Sequence, residues 1–334
     1  MLSRRCALRL MAVLAVTPAC KHRNGEDGGD SALKGAPSKG STVFVGTATH
    51  FDGVSPEGSG CGTPPDLMVE ESRGRFVALN VQDTPGNYRE DFSPEGKKPR
   101  PINGPGVGMF DNGRHCGRWV KVTLEDTCSG LSNGSPGKPL CQNGEYVADS
   151  LNGAVQYFQV TDSCQDGNAW CRDDRYHVDL STSGLSSFVK DGQLVAIKGW
   201  SNRRVRWEFV KAPDYKGDLK IGFVRDNFMR GAEGAWVSII ITNLPNGISR
   251  VEAKPVGTKA PFVSLKMVGD NGQKFDGLPT SSDEWLIRVY DYDGALINIG
   301  GKPIYRIKFP CGSAKCPKLF NEPKGGIIKQ TSEI

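Results

Sequence analysis

The C-terminal half of the chain contains six short segments of alternating polarity at near-constant spacing, and this regularity constrains the fold most strongly. Between residues 219 and 310 they read LKIGFV, AWVSIIITN, ISRVEAKPV, FVSLKMVG, EWLIRVYDYDG and YRIKFP. Dipeptides typical of tight hairpin turns lie near them: Asn246-Gly247, Asn271-Gly272 and Asp293-Gly294. Short strands separated by turn signals at regular intervals predict a β-sandwich.

The N-terminal half is also rich in strand patterns, but its loops are uneven. Alternating segments include STVFVGTATHF, CGRWVKVTLED, AVQYFQVTDSC, RYHVDLS and RRVRWEFV. A repetitive meander does not fit such loops, whereas a small closed barrel does. LSSFVKDG, at 185–192, reads as a short helix, and the Pro-containing 210–218 as a linker. A chain of 334 residues is long enough for two domains.

The N-terminus has the layout of an export signal. Arg4 and Arg5 precede an apolar stretch that ends at Ala19-Cys20, and this stretch is too short for a stable membrane anchor. We predict an export or lipoprotein signal over 1–20 and a flexible linker over 21–41. Two outcomes remain open: lipidation of Cys20, or plain cleavage and secretion.

Eight cysteines remain after the signal and Cys20 are set aside. An even number in an exported chain favours disulfides, whose connectivity the sequence does not give. The four histidines lack the short spacing that a zinc site needs, so we expect neither a metal nor another cofactor. The eight are Cys61, Cys116, Cys128, Cys141, Cys164, Cys171, Cys311 and Cys316.

The charge balance gives no reason to expect a nucleic-acid partner. The chain has 42 Lys and Arg against 37 Asp and Glu, and three of the arginines lie in the predicted signal. No G-x-S-x-G nucleophile motif is present, and the glycine-rich segments precede no helical pattern that would make a phosphate loop.

Two aspartates at strand ends are the best candidates for chemistry. Asp162 in VTDSC and Asp179 in HVDLS end two predicted strands, where their side chains could face a common groove. A glycoside hydrolase needs two carboxyl groups, one protonated and one charged. The structural alternative is that either residue caps a turn or a helix, because Asp179 stands just before a Ser-rich helix start.

Several motifs together resemble the expansins, proteins that loosen plant cell walls and have bacterial relatives. Between residues 46 and 181 the order is GTATHFDG, GCG, GMFDNGRHCGRWVKV, FQVTDSC and HVDLS, followed by WEFVKAP and AWVSIIITN. The resemblance covers about residues 43–310. It implies an all-β chain, with a six-stranded double-psi β-barrel over 42–210 and an immunoglobulin-like, carbohydrate-binding β-sandwich over 213–310. Residues 311–334 would form a C-terminal tail.

The resemblance also implies roles for single residues in the barrel. Asp179 matches the acid that the family retains, His177 the histidine of its His-x-Asp motif, Asp162 the aspartate of the V-T-D strand, and Thr49 a threonine near the groove floor. Expansins look like hydrolases that lost the second carboxylate. If cleavage were found, Asp52 would be the first base to suspect, although a turn aspartate is its ordinary interpretation.

The sandwich departs from the bacterial family pattern. Trp236 aligns with one of three aromatic residues that stack on glucose rings, but Ala235 stands beside it, and Arg225 falls at a basic platform position. A half-buried core tryptophan and an ordinary exposed charge are the structural alternatives. In the barrel, Cys164 stands where bacterial expansins carry a tyrosine.

These features predict a non-hydrolytic wall-loosening protein rather than an enzyme. We expect it to bind cellulose, xyloglucan or peptidoglycan in a groove spanning both domains, as a monomer. It would be secreted from a bacterium or anchored as an outer-membrane lipoprotein. The rival interpretation is a polysaccharide-cleaving enzyme, either an endoglucanase or a lytic transglycosylase, and a third is a module that only adheres to walls.

Overall fold

The computed structural model describes residues 42–53, 59–81, 108–132, 139–165, 168–195, 197, 202–224, 238–279, 281–308, 327–329 and 332–333. All the described residues belong to one compact unit. Several predicted features lie outside the described residues: the signal with Cys20, the 21–41 linker, Arg225, Trp236, and the Cys311 and Cys316 pair.

The first half of the described chain is built almost entirely of strands. They are β1 Phe44–Phe51, β2 Phe76–Asn80, β3 Trp119–Cys128, β4 Leu131–Ser132, β5 Cys141–Gln142, β6 Tyr146–Val147, β7 Val155–Cys164, β8 Val178–Ser181, β9 Phe188–Lys190, β10 Gln193–Val195 and β11 Arg203–Val210.

Six of these strands close into a ring. Hydrogen-bonded neighbours follow the order β7, β2, β8, β1, β11 and β3, and β3 pairs again with β7. The β1–β8 and β2–β7 pairs are parallel, and the other neighbours in the ring are antiparallel. This closed six-stranded barrel confirms the predicted fold for the first domain.

Alternation along the strands separates the barrel interior from its outer face. Val178 and Leu180 of β8 are fully buried in the barrel core, as are Val77 and Leu79 of β2. Because successive strand residues point to opposite faces, Asp179 between the two β8 core residues faces outward. The outer face therefore carries the polar residues of interest.

Helices are short in the described residues. Helix α1 is Pro65–Ser72, with proline in its first turn and Arg73 in the left-handed region after it, and α2 is Ala169–Asp173. Two short 3₁₀ helices span Asp111–Gly113 and Thr182–Ser187. Helix α1 has only a weak apolar periodicity and is not predicted from the sequence.

The short helix predicted at 185–192 is wrong in part. The 3₁₀ segment ends at Ser187, and β9 and β10 then form a hairpin in which Lys190 pairs with Gln193. Asp191 and Gly192 connect them with φ of 50° and 75°. Positive φ at both loop positions is the type I′ geometry that matches the strand twist, so this Asp-Gly dipeptide specifies a hairpin.

The second half forms two facing five-stranded sheets. The core between them includes Trp285, Tyr305, Phe223 and Ile239, each at most 1% exposed. This arrangement confirms the predicted sandwich. The strands are β12 Lys220–Val224, β13 Ile239–Thr242, β14 Arg250–Pro255, β15 Val263–Ser264, β16 Lys266–Val268, β17 Asn271–Asp276, β18 Glu284–Tyr290, β19 Tyr305–Lys308, β20 Ile327–Lys329 and β21 Ser332–Glu333.

The sandwich sheets have the orders β16-β17-β13-β12-β20 and β15-β14-β18-β19-β21. Strands β20 and β21 come from the 311–334 segment, which the sequence analysis assigned to a tail. The turn expected at Asn271-Gly272 lies two residues earlier, at 269–270, and Asn271 already belongs to β17. The domain boundaries 42–210 and 213–310 stay predictions.

An aromatic and cationic cluster joins barrel and sandwich. The Arg118 guanidinium carbon lies 3.8 Å from the ring centres of both Phe209, on β11, and Tyr292, in the sandwich. Tyr292 Oη lies 3.0 Å from His115 Nε2. Arg118 is only 4% exposed, and burial lowers its pKa to about 10. A buried cation between two ring faces is a favourable contact that ties the two halves together.

A second contact is made by helix α1. Glu71 Oε1 accepts a hydrogen bond from Thr242 Oγ1 at 2.6 Å, and Glu71 Oε2 accepts one from the Asn243 amide at 2.7 Å.

No helix among the described residues is long and apolar enough to cross a membrane.

Candidate functional site

The two predicted aspartates lie in one transverse row on the barrel. Asp179 of β8 pairs in register with Thr49 of β1 on one side and with Ala78 of β2 on the other. Ala78 in turn pairs with Asp162 of β7. The row therefore runs Thr49, Asp179, Ala78, Asp162 across four neighbouring strands. Ala78 is buried between them, where Cys164, Cys171 and Phe51 pack against it.

Asp179 contacts the other residues that the resemblance singled out. Its Oδ1 lies 2.9 Å from Thr49 Oγ1, and the same hydroxyl lies 2.8 Å from His177 Nε2. Asp179 does not cap the following 3₁₀ segment, whose N-cap position is Ser181. The structure thus brings Thr49, His177 and Asp179 together, and the capping alternative is wrong for Asp179.

Burial raises the pKa of Asp179 and lowers that of His177. The Asp179 pKa rises to about 6, mainly because the side chain is buried; the Thr49 hydroxyl, which could turn to donate to the ionised carboxylate, opposes the rise, and the nearby Asp162 adds to it. His177 is fully buried, and desolvation lowers its pKa to about 3. At neutral pH the imidazole is therefore neutral, and Asp179 holds its proton at moderately acidic pH.

Asp162 is held by backbone groups. Its Oδ1 accepts hydrogen bonds from the Gly60 amide at 2.6 Å and from the Ser163 amide at 2.8 Å. Burial raises the Asp162 pKa and these two hydrogen bonds oppose the rise. A Cβ on Gly60 would lie 2.6 Å from Ser163 Oγ and 2.8 Å from Asp162 Oδ1, so only glycine allows this close approach.

A disulfide packs against the carboxyl of Asp179. Cys164 and Cys171 are joined, and Cys164 Sγ lies 4.0 Å from Asp179 Oδ2. A disulfide sulfur carries no hydrogen, so this contact gives the carboxylate no donor and keeps water from that side. The other two described disulfides are Cys61–Cys116 and Cys128–Cys141. The stapling prediction is confirmed for these six cysteines.

Two polar residues behind His177, Asp174 and Thr47, were not predicted from the sequence. Asp174 accepts hydrogen bonds from the Thr47 amide at 2.6 Å, the Thr47 hydroxyl at 2.7 Å and the Tyr176 amide at 2.9 Å. The Thr47 hydroxyl also lies 2.9 Å from His177 Nδ1. A signal was present, because Thr47 and Thr49 are two apart on β1 and so share a face, as His177 and Asp179 do.

Asn80 is a third missed residue, and it positions the loop before β8. Its side-chain nitrogen donates towards the carbonyl oxygens of Cys171, Asp174 and Arg175, at 2.7 to 3.1 Å. Its Oδ1 accepts a hydrogen bond from the Met109 amide at 2.9 Å. Asn80 is fully buried, so one amide group fixes where the loop carries Asp174.

Other candidates do not join this cluster. Asp52 follows the end of β1 and is exposed. No group of His, Cys, Asp or Glu that could hold a metal ion exists among the described residues. An open pocket near the barrel–sandwich junction is lined by Arg73, Arg75 and Trp119, among others, and by no member of the Asp179 row.

No protein-family profile and no curated protein matches the sequence. Among solved structures, the chain is similar to a Clavibacter michiganensis expansin, crystallised as a mutant in complex with cellohexaose. The sequence identity is 16% and the TM-score 0.47, over 87% of this chain and 97% of that chain. This degree of similarity assigns neither a family nor a function to the chain.

Proposed function

We propose that the protein binds a wall polysaccharide along the Asp179 row and loosens contacts between glycan chains without cutting them. The observation that carries this proposal is the state of Asp179. It is a carboxyl at the outer face of a closed barrel, 7% exposed, with a pKa raised to about 6. Such a group offers a hydrogen to a ligand oxygen at mildly acidic pH, which an ordinary surface aspartate does not.

The chemistry of loosening follows from that donor. Neighbouring glucan chains are held together by hydrogen bonds between hydroxyl and ether oxygens. A protonated Asp179 can donate to one of these oxygens and replace a contact between chains. Repeating this exchange along the groove would separate chains with no covalent change, so no water-activating base is needed.

Further parts of the proposal concern residues outside the described chain. We propose Trp236 as a stacking residue and Arg225 as its basic neighbour, in a groove that continues onto the sandwich. We also propose export, with Cys20 as the lipidation site or with plain secretion, and a monomeric state. The polymer is cellulose, a related glucan such as xyloglucan, or peptidoglycan.

The experiment that tests the proposal measures binding, products and loosening together. Purified protein is incubated with amorphous cellulose and, separately, with peptidoglycan. The bound fraction is measured by sedimentation, soluble oligosaccharides by mass spectrometry, and loosening by the extension of a loaded cellulose strip. We compare the wild type with Asp179→Asn. Asp191→Asn makes the same chemical change in the exposed β9–β10 turn and is the matched control.

The proposal expects binding without soluble products. Loosening should fall about tenfold in Asp179→Asn and lose its pH dependence, because an amide N–H is a weaker hydrogen-bond donor than a carboxylic acid O–H and does not titrate, while binding and the Asp191→Asn control stay near wild type. If the wild type binds without loosening and Asp179→Asn changes nothing, the protein is an adhesive module; if loosening occurs and Asp179→Asn leaves it unchanged, Asp179 is not the donor. If it abolishes a soluble product, the protein is an enzyme.

One observation favours a second candidate function, polysaccharide cleavage. Asp162 shares the Asp179 row, and its two backbone hydrogen bonds stabilise its charged form. Two interstrand spacings, about 9–10 Å, separate the two backbones. If the two side chains leave these backbones in parallel, the carboxyl groups are about as far apart as in inverting glycosidases, roughly 6.5–9.5 Å, and farther apart than in retaining ones, about 5–5.5 Å. Cleavage by this pair would invert the anomeric configuration, and Asp162→Asn would abolish it while sparing binding.

A further inference from the structure

A continuous series of hydrogen-bonding contacts connects Asp174 to Asp179. Thr47 Oγ1 lies 2.7 Å from Asp174 Oδ2 and 2.9 Å from His177 Nδ1. Thr49 Oγ1 lies 2.8 Å from His177 Nε2 and 2.9 Å from Asp179 Oδ1. Each hydroxyl has one hydrogen to donate, and neutral imidazole has one N–H. The number of available hydrogens therefore determines the direction of every contact.

The direction is set first at Asp174, where two donors are fixed. The backbone amides of Thr47 and Tyr176 donate to Oδ2 and Oδ1 of this carboxyl group. A carboxylate with these partners has no hydrogen of its own, so the Thr47 hydroxyl donates its single hydrogen to Oδ2. The contact between Thr47 Oγ1 and His177 Nδ1 must then be made by an N–H on Nδ1.

The next step passes through the imidazole. His177 is fully buried and neutral, since burial lowers its pKa to about 3. With the hydrogen on Nδ1, Nε2 has only a lone pair and accepts from the Thr49 hydroxyl. Thr49 has then used its hydrogen, and its oxygen can only accept from Asp179 Oδ1. Asp179 satisfies this contact when it is protonated, whereas its carboxylate would face an oxygen lone pair.

We propose that Asp174 is a positioning residue for Asp179: its carboxylate sets the direction of the hydrogen-bond chain through Thr47, His177 and Thr49, and so keeps Asp179 as a proton donor. Asp174 lies outside the Asp179 row and acts through the tautomer of His177. This role rests on the proposed function in one respect: it takes Asp179 as the residue that contacts the glycan.

Around Asp179, the described neighbours disfavour its charge or carry none, whereas charged residues stand near Asp174: Arg175 follows it in sequence, and Arg204 of β11 pairs with Thr47. Asp162 on β7 disfavours a second negative charge at Asp179. On the other sides of Asp179 lie the Cys164 sulfur and Ala78 of β2. The Trp170 ring of α2 stacks near His177, with centres 6.1 Å apart. Tyr146 of β6 is within electrostatic range of Asp174. Among the described residues, no lysine or arginine lowers the Asp179 pKa.

The test is a direct observation of the His177 tautomer. Two-bond ¹H–¹⁵N correlation spectra of the uniformly labelled full chain at pH 6–7 distinguish an Nδ1–H imidazole from an Nε2–H imidazole and from imidazolium. We expect the neutral Nδ1–H form. Carboxyl ¹³C titration of the same sample gives the pKa of Asp179, which should be at or above about 6. An Nε2–H tautomer or an imidazolium in the wild type overturns the proposal.

Two variants of Thr47 test the link to Asp174. Thr47→Val removes the hydroxyl but keeps the backbone bonds to Asp174, and Thr47→Ser keeps the hydroxyl as the matched control. In the valine variant we expect His177 to change to Nε2–H and the Asp179 pKa to fall by about one unit, because Thr49 is then free to donate to Asp179. An unchanged tautomer and pKa in Thr47→Val would also overturn the proposal.

Neither readout requires a glycan, and the wild-type tautomer requires no variant. If Thr47→Val does not fold, the wild-type tautomer still decides the question. If the protein binds no polysaccharide, the proposed function fails while the hydrogen-bond chain is tested unchanged. If the tautomer is wrong but binding and loosening are seen, only the role of Asp174 fails.

Discussion

Asp162 and Asp179 occupy the same row of the barrel and are separated by the single residue Ala78. They belong to different strands, β7 and β8, that are not neighbours in the ring. Their side chains are held differently, since Asp162 accepts two amide hydrogens and Asp179 meets a threonine hydroxyl. Two like groups in unlike surroundings are the usual basis for distinct acid and base roles.

The stability of the protein should depend on pH through Asp179. Its folded pKa of about 6 is above the ordinary value of 3.8, so between about pH 4 and 6 the folded state binds more protons than the unfolded state. The free energy of unfolding must therefore fall as pH rises through this range, by up to about 3 kcal/mol from this group. Asp179→Asn removes this fall, because asparagine stays neutral.

Denaturant unfolding of the wild type and Asp179→Asn at pH 4 and pH 7 checks this prediction. The two proteins should be similar at pH 4, and the variant should be the more stable at pH 7. Asp191→Asn controls for the chemical change. Equal pH dependence in wild type and Asp179→Asn would mean that Asp179 is not protonated above its ordinary range.

Loosening activity should follow the protonated fraction of Asp179. We expect full activity below about pH 6 and a decline towards tenfold per pH unit above it, since only the protonated carboxyl donates. The extension rate of cellulose strips between pH 4 and 8 measures this profile, with the bound fraction measured at each pH. Activity that rises with pH through this range contradicts the role of Asp179 as donor.

Removing the Cys164–Cys171 disulfide should change both stability and the Asp179 pKa. Replacing both cysteines with serine should lower the free energy of unfolding by about 2–3 kcal/mol, because the unfolded chain gains conformational entropy without the crosslink. Water would then reach Asp179 Oδ2, so its pKa should fall. The matched control replaces Cys128 and Cys141, which close a similarly short loop at β3 and β5.

That control variant should lose about 3 kcal/mol of stability and leave the Asp179 pKa unchanged. Urea unfolding and carboxyl ¹³C titration give the two quantities for each variant. An equal shift of the Asp179 pKa in both variants would show that the Cys164–Cys171 contact has no local effect on the carboxyl group.

Asn80→Asp tests the amide that holds the loop before β8. The substitution keeps the shape of the side chain but replaces a donor facing three carbonyl oxygens with an acceptor. We expect the free energy of unfolding to fall by at least about 3 kcal/mol, because a buried negative charge would face carbonyl oxygens that have lost their donor. Thermal unfolding measures the loss. The control is Asn152→Asp, the same change at a half-buried site, which should cost less. Equal losses in the two variants would contradict the special role of Asn80.

Tyr292 variants separate the two contacts at the barrel–sandwich junction. Tyr292→Phe removes only the hydroxyl near His115 Nε2 and should cost about 1 kcal/mol. Tyr292→Leu also removes the ring face over Arg118 and should cost about 1–2 kcal/mol more. Unfolding curves measure both costs. If the leucine variant is no less stable than the phenylalanine variant, Arg118 gains nothing from the second ring.

The sequence carried much of this architecture in its local patterns. Alternation predicted strands such as β1, β7, β11 and β18. Two pairs of residues spaced by two, His177 with Asp179 and Thr47 with Thr49, share a face because of the strand period alone. The resemblance selected three of these four residues. The β9–β10 hairpin runs against the helical pattern of 185–192, and Asp191-Gly192 is the local turn signal that specifies it.

Tertiary structure decided how these local pairs meet. Thr49 and Asp179 are 130 residues apart, and only the parallel pairing of β1 with β8 sets them side by side. The register of β2 then places Ala78 between the aspartates. Sequence alone determines which face a strand residue takes, because that depends on its immediate neighbours. It does not determine register between distant strands, which closure of the whole barrel imposes, nor burial, which sets the charge state of Asp179.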